Sequence, residues 1–351
     1  ADGTALVVVT HDPALASRGE FLAGQCFVKA AQDKDALKYF SLAAQRPNGP
    51  FADQAALAIA ALQEKIGDTA GASTTLDRLV STKQSGSVMG RAHLIRARLL
   101  LNAKQIDKAR AELSQAASED SSLAPSVEYY LAKCDLQKGD ASAAAKRLAA
   151  AAKKFADDGM LPNILFDLAV AQTRCGDDRG ALKTLSRQTH LDEETASQVL
   201  QMQAAITHRL GKFEDSQKHC NEFFKRFAGH PSTASIAFIA AENTFLAGDN
   251  ESAVKRFGDF LKQYPTDAQA PKARLRAGWA AYRLKRFEEA RDMLQPLAAD
   301  ATTNPDLPGA LLALGDIAFA AQNWKVSEQS LSRYVAGSGE IQSADDALLQ
   351  L

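Results

Sequence analysis

The stretch AENTFLAGDNESAVKRFGDFLKQYP, residues 241–265, decides the fold. It reads as a helix ending near Leu246, a Gly248-Asp249 turn, and a second helix from about Glu251 to Gln263 that Pro265 stops. Glycine at the turn reaches the left-handed conformation that a helix C-cap needs, free of a Cβ clash. Ala241, Ala253 and Phe257 mark the packed faces. These three positions return along the whole chain.

The first series is Gly24, Ala60, Ala97, Ala132, Ala169, Ala204, Ala241, Gly278 and Gly315, at intervals of 36, 37, 35, 37, 35, 37, 37 and 37. Twelve residues after each member stands Ala36, Ala72, Ala109, Ala144, Ala181, Ser216, Ala253, Ala290 or Ser327. Four further on stands Phe40, Leu76, Leu113, Leu148, Leu185, Cys220, Phe257, Leu294 or Leu331. A fixed period of this length is the signature of a stacked repeat, in which each unit buries its apolar stripe only against its neighbours. The expectation is an all-α chain, a right-handed α-solenoid of about nine antiparallel helix pairs, with the first helix of each pair (A) carrying the small residue and the second (B) the apolar plug. Repeats would occupy residues 15–342. Residues 1–14 would be a non-repeat or frayed segment, and 343–351 the start of a truncated further helix.

The turn recurs as Gly67-Asp68, Gly139-Asp140, Gly176-Asp177 and Gly211-Lys212, with Lys104, Lys285 and Gln322 in place of glycine elsewhere. Pro50, Pro125, Pro162, Pro231, Pro271 and Pro308 fall near the starts of A helices, where a missing N–H costs little. Pro296 falls inside a B helix and is expected to end or kink it, with Ala299–Pro308 as an irregular joint. Ala141–Lys154 keeps the register and reads as an ordinary B helix.

The spacing small–x11–Ala–x3–Phe/Leu, with Pro eight later in the best copy, resembles the tetratricopeptide repeat. Leu314-Gly315 matches that motif's Leu-Gly pair, and Phe213, Phe287 and Trp324 match its aromatic after the turn. Endings such as Phe260-Leu-Lys-Gln-Tyr264-Pro265 resemble repeats of bacterial envelope proteins, such as TolA-binding periplasmic proteins and outer-membrane assembly lipoproteins. That resemblance implies a bacterial periplasm or cell-envelope location.

The chemistry-bearing motifs are sparse. HExxH, P-loop and GxSxG patterns are missing, and six histidines show no metal-ligand spacing. The expectation is a protein that is no enzyme, with no catalytic, cofactor-binding or metal residue and no cofactor. Cys26, Cys134, Cys175 and Cys220 read as small buried residues. With 41 Lys+Arg against 42 Asp+Glu the chain is no polyelectrolyte for nucleic acid, and its apolar runs are too short for direct membrane insertion.

The resemblance implies that A-helix positions 2, 5, 9, 12 and 13 line a binding groove. Those positions hold the aromatics Phe21, Tyr129, Phe166, Phe238, Phe245, Trp279, Tyr282 and Phe319. They also hold ten basic residues, among them Arg98, Lys133, Arg174, Arg209, Lys272 and Arg283, against the acidic Glu64, Glu242 and Asp316. Basic residues interleaved with rings suit an extended acidic peptide. The same residues also fit a solvated face with rings packed between units. The candidate partner-binding set is Phe238, Phe245, Trp279, Tyr282, Phe319, Arg174, Arg209, Lys272 and Arg283. The functional expectation is a protein–protein interaction scaffold for a protein or peptide partner. The alternatives are a substrate-positioning or regulatory arm of a larger enzyme, and a self-assembling envelope component.

Overall fold

The computed structural model describes residues 12–46, 49–81, 86–188, 191–299 and 307–337. Among them are eighteen α-helices, one 3-10 turn at Ser121–Leu123, and no strand. The expectations for residues 1–11, for most of the Ala299–Pro308 joint and for 343–351 lie outside the described residues. The chain divides into two compact units, residues 1–189 and 190–351.

The first unit holds α1 (Pro13–Lys29), α2 (Asp33–Gln45), α3 (Ala52–Lys65), α4 (Thr69–Ser81), α5 (Ser87–Asn102), α6 (Ile106–Glu119), α7 (Ala124–Gln137), α8 (Ala141–Lys154), α9 (Leu161–Arg174) and α10 (Asp178–Leu185). The second holds α11 (Glu193–Arg209), α12 (Phe213–Arg226), α13 (Thr233–Leu246), α14 (Asn250–Gln263), α15 (Ala270–Arg283), α16 (Phe287–Ala299), α17 (Leu307–Ala320) and α18 (Trp324–Gly337). Odd-numbered helices are A and even-numbered helices are B. Within each unit consecutive helices pack on one another, and α3 also meets α5, α5 meets α7, and α11, α13, α15 and α17 meet in succession.

The three periodic series form the seam of every pair. All nine small residues are buried, and so are all nine residues of the second series. The apolar plug sits against the small residue sixteen positions earlier. A Cβ added to Gly24, Gly278 or Gly315 would lie 2.5–2.6 Å from Phe40, Leu294 or Leu331 respectively. Where the second series carries serine, its hydroxyl is satisfied inside the seam: Ser216 Oγ donates to the Ala204 carbonyl at 2.9 Å, and Ser327 Oγ to that of Gly315 at 3.0 Å. A polar atom is tolerated there because its acceptor is built into the repeat.

The turns share one geometry whatever the residue. Gly67, Gly139, Gly176, Gly211 and Gly248 have φ from 71° to 84°, and Ala31, Lys104, Lys285 and Gln322 take the same left-handed region at 56° to 61°. The following Asp68, Asp140, Asp177 or Asp249 accepts an N-cap hydrogen bond from the third residue on.

Two expectations are corrected. Of the two outcomes expected at Pro296, ending or kinking α16, the first does not occur, since the helix continues to Ala299. Proline removes one intrahelical hydrogen bond, and burial of Leu297 and Ala298 holds the last turn. Cys26 and Cys175 are exposed, while Cys134 and Cys220 are buried. Cys26 shares a repeat position with Cys134, but α1 has no earlier helix pair among the described residues to cover that face. Cys175 stands beyond the last turn of α9 as its C-cap.

Candidate functional site: the ionic and aromatic surface of the A helices

A-helix surfaces are joined by ion pairs that repeat with a fixed spacing of 34 residues. In the first unit Glu64 on α3 meets Arg98 on α5 at 3.0 Å, and Lys133 on α7 meets Asp167 on α9 at 3.2 Å. In the second unit Glu242 on α13 meets His208 on α11 at 3.5 Å and Arg276 on α15 at 3.3 Å. Lys272, one turn before Arg276, adds a contact to Glu242 at 3.2 Å.

Glu242 is the centre of the second unit's network. Burial pushes its carboxyl up, but the hydrogen bond from His208 and the charges of Lys272 and Arg276 outweigh this and hold it down at about 2. His208 Nδ1 lies 2.8 Å from Asn243 Oδ1, so both ring nitrogens face acceptors and the imidazolium is favoured. The Glu242 hydrogen bond raises the His208 pKa, against the opposing effect of its burial. Asn243 passes the network inward through Nδ2 to Ser216 Oγ at 2.9 Å.

The cations lie over rings. Lys272 sits 5.4 Å from the Phe238 centroid, and Arg276 and Arg283 sit 5.0 and 4.8 Å from that of Phe245. The structure thus brings Phe238, Phe245, Lys272 and Arg283 of the candidate set together. Phe238, Phe245 and Trp279 are buried in the core of the second unit, with Phe238 packed edge-on against Phe257 and Phe260. They support the surface from beneath. Tyr282 is half-buried beside Trp279, and Phe319 is exposed. Arg209 and Arg283 are exposed on α11 and α15. Arg174 is exposed in the first unit, its guanidinium 3.5 Å from the Leu136 carbonyl.

Arg276, Asn243, Asp167 and Trp324 escaped the reading by groove position. The signal that finds Arg276 and Asp167 is opposite charge at a spacing of 34, two to three residues short of the usual repeat interval. Among the described residues no group of three or more His, Cys, Asp or Glu could hold a metal ion. None of the helices there is long and apolar enough to cross a membrane.

These features define an all-α helical-repeat solenoid. Residues 247–305 and 275–341, within the second unit, match the family model of the tetratricopeptide repeat. A comparison with curated protein sequences finds no match. Solved structures share the fold at low identity. One is a signal-transduction ATPase of the STAND type with a tetratricopeptide repeat sensor from Pyrococcus horikoshii: 15% identical, TM-score 0.62, covering 94% of this chain and 53% of that one. The apo form of RapI is 10% identical, with a TM-score of 0.60 over 92% of this chain and 99% of that one. The apo quorum sensor NprR of B. thuringiensis is 14% identical, with a TM-score of 0.56 over 93% and 99%.

Proposed function

We propose that the chain is a non-catalytic protein–protein interaction scaffold whose A helices receive an extended, acidic segment of a partner. One observation carries the reading. On the A-helix surface of the second unit Arg209 and Arg283 are exposed, Arg283 with its guanidinium over the Phe245 ring. Exposed guanidinium groups and the half-buried ring of Tyr282 on neighbouring A helices are the side-chain types that receive an acidic segment. Guanidinium groups bind carboxylates with two parallel hydrogen bonds and stack on rings, which suits them to interfaces. Location in the bacterial cell envelope belongs to the same proposal and rests on the repeat endings alone; fractionation of cells tests it.

The test is affinity capture from the source organism at low and high salt, with the Arg209→Glu, Arg283→Glu double variant alongside. Acidic partners retained by the parent, lost at high salt and lost by the variant support the reading. Partners held equally by parent and variant would overturn it.

A further inference from the structure

Exposed large apolar side chains of the second unit gather at α17 and α18. Phe319 is 60% exposed and Trp324 58% exposed, and their rings meet edge to face at 5.1 Å. Val326 and Val335 are exposed on α18. Rings held in water are anchors for something that covers them.

Asp316 says what that is. It lies three residues before Phe319 on α17, so the two share a helix face. It is half-buried, and among the described residues no ion pair or hydrogen bond reaches it. It occupies the same repeat position as Glu242, directly after the small residue of its A helix. Glu64, Asp167 and Glu242 each meet a cation at the spacing of 34. From Asp316 that spacing leads back to Tyr282 and forward to Gln350, and neither carries positive charge. With no cation to offset it, burial pushes the Asp316 carboxyl up, and Asp316 adds to the effect of burial in raising the Tyr282 phenol. The repeat builds the carboxylate half of an ion pair here and omits the other half.

We propose that Asp316, Phe319 and Trp324 form a receiving site for a positively charged side chain, arginine in preference to lysine, presented by a segment of a partner protein. A guanidinium would lay its face on the exposed rings and direct its N–H groups at the carboxylate. Residues 338–351 contain no lysine or arginine and do carry Glu340, Asp345 and Asp346, so they do not complement the site. The inference rests on the reading of the A-helix surface as a docking surface and gives that surface a polarity. The partner segment is acidic where it meets Arg209 and Arg283, and basic where it reaches α17.

The two tryptophans make the site directly readable, because Trp324 is exposed and Trp279 is buried. The probes are capped pentapeptides Gly-Ser-X-Ser-Gly with X as arginine, lysine, norleucine or glutamate, titrated into the full chain while the indole N–H resonance of Trp324 is followed by NMR. The expected result is a saturable shift with the arginine peptide, a weaker one with lysine, and none with norleucine or glutamate. Affinity for the arginine peptide should fall at least fivefold in Asp316→Asn and in Phe319→Ala, each checked for an unchanged melting temperature. Equal binding by Asp316→Asn, or equal binding of the glutamate peptide, overturns the proposal. Self-association of the parent that Asp316→Asn abolishes would also overturn it, by naming a second copy as the occupant. Capture of acidic partners through Arg209 and Arg283 is read separately, so this site can fail while the scaffold reading stands.

Discussion

Residues 12–188 and residues 191–337 use the same spacing of 34 for their A-helix ion pairs, with different consequences. In the first unit the pairs are one to one: Arg98 serves Glu64, and Lys133 serves Asp167. Burial raises the Glu64 carboxyl, and Arg98 offsets only part of that rise. In the second unit one carboxylate serves three cations, and the balance reverses. Glu242 is held at about 2. Beneath it a cluster dominated by Phe238, Phe245, Phe257 and Phe260 runs continuously into α15 and α17. The first unit carries smaller layers built largely from Ala and Leu. Between A helices, identical backbone architecture thus supports one-to-one contacts in one region and a shared one in the other, while the first unit's own shared carboxylate, Asp135 on α7, is met by Arg110 and Arg147 from the B helices α6 and α8. What differs is whether the cations that share a buried carboxylate come from neighbouring A helices or from B helices.

The largest effect expected is from removing the shared charge. Glu242→Ala leaves His208, Lys272 and Arg276 facing one another and should cost about 3–5 kcal/mol. Arg98→Ala, at a pair whose arginine side chain is 41% exposed, should cost about 0–1 kcal/mol. Thermal denaturation of both variants checks this, and equal losses would erase the contrast.

Acid should separate the units in the same sense. A carboxyl at about 2 in place of 4.5 favours the folded state at all pH values above 4.5, and that contribution fades as pH falls toward 2. Glu64 is raised, so the folded state bears a penalty when it is charged, and acidification relieves it. Between about pH 6 and about pH 3, hydrogen exchange should quicken around α13 and slow around α3. Parallel changes would count against the assignment. On the alkaline side, His208 is raised from 6.5, so its contribution is present below 6.5 and is lost as pH rises through the raised value. His208→Gln should flatten that limb in the second unit alone.

Changes in the seam should not distinguish the units. Ala169→Leu in the first and Ala241→Leu in the second should each overpack a fully buried position and cost about 1–3 kcal/mol in denaturant melts. A marked difference between them would mean that the small-residue seam is not a shared feature. The smallest effect is a gain. Lys104 holds the left-handed turn at φ 58°, so Lys104→Gly should stabilise the first unit by about 1 kcal/mol, read as a rise in melting temperature.

The fold was legible because the period records packing directly. Gly24 and Phe40, or Gly278 and Leu294, are sixteen residues apart because one fills the space the other leaves. The helix end at Leu246 and the boundaries Ala141–Lys154 emerge as the sequence suggests. The surface was legible only in part. Helical position assigns a side chain to a face and says nothing of its depth. Phe238 and Phe245 do lie on the A-helix surface side, yet Lys272, Arg276 and Arg283 from the next A helix extend over them. Arg276 was hidden because its pairing follows the 34-residue spacing between facing side chains, whereas the eye follows the intervals of the small residues, mostly 37. The N-cap aspartates were readable as turn residues, since a carboxylate after a left-handed glycine meets free N–H groups wherever it occurs.

The sixteen-residue reach of the seam also bears on how the chain is made. Each helix pair closes through partners close in sequence, so little chain entropy is lost before the first native contact forms. A pair can therefore lock as soon as its two helices have left the ribosome, and the next pair then finds a finished surface to grow on. Synthesis would lay the array down in order, one seam at a time, with the Asp316 surface completed after the Glu242 network.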